Sequence, residues 1–64
     1  MRDKAWANRL LKDGIKELRD KDRARAGRIV EALVYLDLLR GEGFWWQAFI
    51  LNSWIHRFQR GDFG

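Results

Sequence analysis

Hydrophobic positions recur along this chain with the three-to-four-residue rhythm of α-helices rather than the strict alternation of strands. Trp6, Leu10, Leu11, Ile15 and Leu18 form one apolar stripe, which predicts a first helix over 4–19. Gly14 interrupts it at a cost of about 1 kcal/mol relative to alanine, and is either a point of close helix approach or merely tolerated. A second helix is expected over 23–40, where Ile29, Val30, Leu33, Val34, Leu36, Leu38 and Leu39 cover well over half of the circumference. So apolar a helix needs neighbours on two sides. Gly41 is the expected left-handed stop after it, with Arg40 near the negative end of the helix dipole.

A third helix is expected over 43–60, ending in Arg57, Arg60 and Gly61. Its stripe is Phe44, Ala48, Leu51, Ile55 and Phe58; Trp45 and Phe49 widen it, while Trp46, Ile50 and Trp54 fall largely off it. The short Gly41-Glu42-Gly43 connection predicts an antiparallel hairpin of the second and third helices. The junction at Arg19-Asp20-Lys21-Asp22-Arg23 allows two readings. Asp20 or Asp22 suits the N-cap of a separate second helix. The 3–4 rhythm of positions 11, 15, 18, 22, 25, 29, 33 and 36 also suits one continuous helix from Lys4 to Arg40. The break is preferred. The fold class is all-α: one helical domain over 1–64, expected to assemble as an oligomeric bundle.

Size sharpens that expectation. A chain of about 60 residues buries only roughly 60% of its unfolded surface, so such domains usually lean on disulfides, a metal or oligomerisation. There is no cysteine, and the single histidine, His56, has no ligand set around it in the sequence, so no metal and no cofactor are inferred. Self-association is the remedy that remains. Trp45, Trp46, Phe49, Ile50 and Trp54 are the expected interface, because one hairpin and one amphipathic helix cannot bury them all.

Charge divides the chain. Residues 1–28 hold ten Lys/Arg against five acids, whereas residues 29–64 hold three against four. Arg9, Lys12, Lys16, Arg19 and Arg23 recur at 3, 4, 3, 4 and predict a basic ridge, the footprint of a sequence-tolerant nucleic-acid binder that contacts the phosphate backbone. Acids at i+4 (Asp13 after Arg9, Asp20 after Lys16, with Lys21 after Glu17) predict local ion pairs that weaken this field. A third possibility is peripheral binding to a membrane surface, with the tryptophans at headgroup level and Arg57 and Arg60 on lipid phosphate.

Catalytic chemistry has little foothold. Gly41-Glu42-Gly43 lacks the rest of a phosphate loop, and Ser53 and His56 read as neighbours on a polar strip rather than nucleophile and base. Asp37 and Glu31 are the carboxylates of interest because they sit in an apolar helix, Asp37 as a candidate for half-burial beside an arginine or an indole N–H. Arg60-Gly61-Asp62 matches an adhesion tripeptide in a context that gives it no support. No catalytic residue and no small-molecule substrate are inferred. The expectation is a non-enzymatic scaffold or regulatory binding module. Without a recognisable signal peptide or membrane span, it is expected in the cytoplasm or as an intracellular viral or phage product.

Overall fold

The computed structural model describes residues 2–61, which form three α-helices and no strand: α1 (Lys4–Leu18), α2 (Arg25–Gly41) and α3 (Trp45–Gln59). Each helix packs against both others. The preferred break between the first two helices is present. The tripeptide Arg60-Gly61-Asp62 runs beyond the described residues at Asp62.

Local chemistry sets the boundaries. Asp3 caps α1, its carboxylate accepting from the Trp6 backbone N–H at 2.9 Å. Asp20 and Asp22 do not cap α2, contrary to the expectation from sequence. Asp20 instead accepts from the Asp22 N–H at 3.1 Å, an Asx turn that bends the chain between the helices. The N-cap of α2 is Ala24, which lacks a side-chain acceptor, and Arg28 Nε steadies this end by donating to the Arg23 carbonyl at 2.8 Å.

Gly41 is likewise not the left-handed stop; it is the last helical residue of α2. The left-handed position falls to Gly43, at φ 79°. The Gly43 N–H reaches the Arg40 carbonyl and the Phe44 N–H reaches the Leu39 carbonyl, the paired bonds of a Schellman ending. Phe44, the residue after the glycine, packs against the core that contains Leu39. Gly61 takes the same left-handed position after α3, at φ 82° with its N–H on the Phe58 carbonyl.

The core is Ala7 and Leu18 from α1, Ala32, Leu36 and Leu39 from α2, and Ala48, Leu51, Ile55 and Phe58 from α3. The expected stripe of α3 is therefore its buried face. For α1 the bulky residues were a poorer guide. Ala7, Gly14 and Leu18 lie on its buried line, while Trp6, Leu10, Leu11 and Ile15 are half-buried at the sides. On α1 the small residues Ala7 and Gly14 face the partner helices together with Leu18, and the larger side chains beside them close the seams.

Gly14 shows how near they come. A Cβ built on it would lie 2.8 Å from Leu51 Cδ1, 3.0 Å from Leu51 Cδ2 and 3.4 Å from Tyr35 Cδ2. Carbon atoms prefer about 3.5–4.0 Å, so glycine is here for close approach. Arg25, at the first turn of α2, donates from Nη2 to the Phe58 and Gln59 carbonyls at 3.0 and 3.2 Å, and its guanidinium lies 4.5 Å from the Phe58 ring centre. A cation thus meets the negative end of α3 and shields a core aromatic.

Candidate functional site

Two surfaces of the bundle stand out. The first is apolar. Trp45, Trp46 and Phe49 occupy the opening turns of α3 at 69%, 68% and 63% exposure. At 100° per residue these side chains lie on the face turned away from Leu51 and Ile55. Trp46 and Phe49 stack at 6.2 Å with an interplanar angle of 22°. Ile50 and Trp54, also expected at an interface, are half-buried. Trp54 packs against the core, and the Arg57 guanidinium lies 4.8 Å from its ring centre. Trp6 on α1 tilts against Phe44 at 5.8 Å, and the Arg2 guanidinium lies 5.2 Å from its ring centre.

The outward face of α2 adds to the apolar surface. Val30, Leu33, Val34 and Leu38 are between 42% and 59% exposed, opposite the buried Ala32, Leu36 and Leu39. α2 has its two expected neighbours, α1 and α3, yet these four side chains remain exposed. Asp37 shares this outward face and is exposed, not half-buried as its apolar surroundings in sequence had suggested. Glu31 is half-buried one turn before Tyr35. Burial, reinforced by the negative charge of Glu31, holds the Tyr35 hydroxyl above the usual tyrosine pKa of 10.0.

The second surface is basic. Arg9, Lys12, Lys16 and Arg19 are all exposed along α1. Arg23 is exposed too, but the helix ends at Leu18, so Arg23 stands past the ridge and instead pairs with Glu17 at 2.8 Å. That pair corrects the expected local pattern. Among the described residues, Arg9–Asp13, Lys16–Asp20 and Glu17–Lys21 do not close to ion-pair distance. With the helix terminated at Leu18, Asp20 and Lys21 no longer lie one turn above Lys16 and Glu17. Lys12, Lys16 and Arg19 border an open groove towards Tyr35 that also exposes Asp13, Glu17 and Asp20. The groove is mixed in charge; the ridge above it is not.

Gln47 and Ser53 donate hydrogen bonds within the bundle. Gln47, buried in α3, donates from Nε2 to Asn8 Oδ1 of α1 at 3.0 Å, a cross-helix bond with no signal in the periodicity of either helix. Ser53 Oγ donates to the Phe49 carbonyl at 3.1 Å, and His56 is exposed. Among the described residues no cluster of His, Asp or Glu is placed to hold a metal ion, and no helix is long and apolar enough to cross a membrane. Comparison of the chain with known protein families, characterised proteins and solved structures gives no match.

Proposed function

We propose that this protein is a non-enzymatic binding or scaffold module that self-associates, a second copy covering the aromatic face of α3 and the outward face of α2. The observation that carries this reading is the cluster of Trp45, Trp46 and Phe49, each about two-thirds exposed and side by side on one rigid helix. Three aromatic side chains of 150–250 Å² each, at that exposure, present about 300–500 Å² of surface. A standard interface takes about 800 Å² from each partner. The outward valines and leucines of α2 supply apolar surface towards the difference, which is why both faces belong to the proposed contact. Ile50 and Trp54 form its half-buried flank.

Within the protomer the reading includes an antiparallel hairpin of α2 and α3. Its support is the three-residue connection Glu42-Gly43-Phe44 at one end and the bonds from Arg25 to the carbonyls of Phe58 and Gln59 at the other. The testing experiment is light-scattering mass after size exclusion at low and high salt. Two or more protomers that persist in high salt, and that Trp46→Ala dissociates without loss of helical circular dichroism, are the expected result. A wild-type chain that stays monomeric across the concentration range refutes self-association.

A further inference from the structure

We infer that the outward face of α1 is a nucleic-acid-binding ridge that grips the phosphate backbone of a duplex without reading its sequence. The inference does not depend on self-association. Its four cations, Arg9, Lys12, Lys16 and Arg19, fall within a sector of about 80° of the helix, opposite the buried Gly14 and Leu18. Asp13 and Glu17 lie outside that sector, and Glu17 is already matched by Arg23. Among the described residues none of the four cations closes an ion pair. Their charge is therefore available to a ligand.

Shape and composition select the partner. From Arg9 to Arg19 the ridge runs about 15 Å at 1.5 Å per residue. Over that length a duplex presents about nine phosphate charges, one per ~1.7 Å of axis. A small anion in the neighbouring groove would meet Asp13, Glu17 and Asp20. An extended polyanion laid on the ridge from outside avoids them. A bilayer fits less well, because surface helices on membranes carry apolar side chains beneath their cations. Here Leu10, Leu11, Ile15 and Leu18 all turn inward to the core, and the exposed neighbours of the ridge are Ala5, Asn8 and Asp13, none of them a large apolar side chain. No exposed aromatic lies on this face to stack unpaired bases, which favours duplex over single strand.

The test is fluorescence anisotropy of the full chain with labelled duplexes of about 20 bp and unrelated sequence, between 50 and 200 mM salt. Four phosphate contacts predict a slope of log K against log salt of about −3.6 per protomer, roughly a hundredfold weakening over that range. The two duplexes should bind alike. Lys16→Gln should reduce the slope by about 0.9, and Lys12→Glu with Lys16→Glu should abolish retention while circular dichroism stays unchanged. Absence of binding at 50 mM salt, a slope untouched by Lys16→Gln, or binding to phosphatidylserine vesicles but not to duplex overturns the inference. Mass measured on the same samples separates the two proposals: a monomer that binds with the expected slope retains the ridge and removes self-association.

Discussion

Gly14 offers the sharpest test of how the bundle is packed. Gly14→Ala adds one methyl group to the middle of α1. Helix propensity alone favours the change by about 1 kcal/mol. The structure places Leu51 Cδ1 2.8 Å from the new carbon, so Leu51 must retreat by about 0.7 Å to reach ordinary contact. Leu51 is fully buried, with core neighbours on its other sides, and overpacking of this kind costs about 1–3 kcal/mol. The net expectation is therefore a loss of about 0–2 kcal/mol, despite the better helix former.

A single value in that range decides little, so the measurement is a double-mutant cycle with Leu51→Val. That second substitution withdraws both Cδ atoms for about 1–1.5 kcal/mol, which a domain of this size can absorb. In the Leu51→Val background Gly14→Ala should become stabilising by up to about 1 kcal/mol, since only the propensity term remains. The coupling between the two sites is then about 1–3 kcal/mol. Urea unfolding followed by far-ultraviolet circular dichroism, at one low protomer concentration, reads it out; association would otherwise add to stability by mass action. If Gly14→Ala stabilises both backgrounds equally, α1 and α3 do not approach at this point and the packing argument fails.

Two further outcomes follow from the same contacts. Arg25→Ala should destabilise the fold by about 1–2 kcal/mol, because two carbonyls at the end of α3 lose a charged donor and Phe58 loses its cover, and Arg25→Lys should restore only part of this; unfolding midpoints within error of wild type would show that the contact contributes nothing. Tyr35 is the only tyrosine, so absorbance at 295 nm titrates it alone. Its pKa is raised in the folded state, so the stability it contributes is complete below pH 10.0 and is lost as pH climbs through the higher folded value. A folded midpoint at or below 10.0, or an alkaline loss of stability that Tyr35→Phe leaves unchanged, would contradict this account.

The helices were legible in the amino-acid sequence to within two residues at each end, because helix formation is decided within a turn or two of chain. The absence of proline and the apolar rhythm specify helices throughout, the charged junction after Leu18 left a break and a continuous helix both open, and Ala48, Leu51, Ile55 and Phe58 identify the core face of α3 directly. Even local chemistry left choices between neighbours: Gly43 rather than Gly41 takes the left-handed turn, and Asp20 bends the junction rather than capping α2. The basic ridge and the exposed tryptophans were legible for the same reason, since spacing on one helix sets which side chains share a face. Tertiary structure decided the rest. It buried Ala7, Gly14 and Ala32 beside the core leucines, left Asp37 in solvent, joined Asn8 to Gln47 and sent Arg25 to the end of α3. None of these follows from periodicity, because burial in a three-helix junction depends on how closely two other helices approach, and that distance is a property of the assembled bundle.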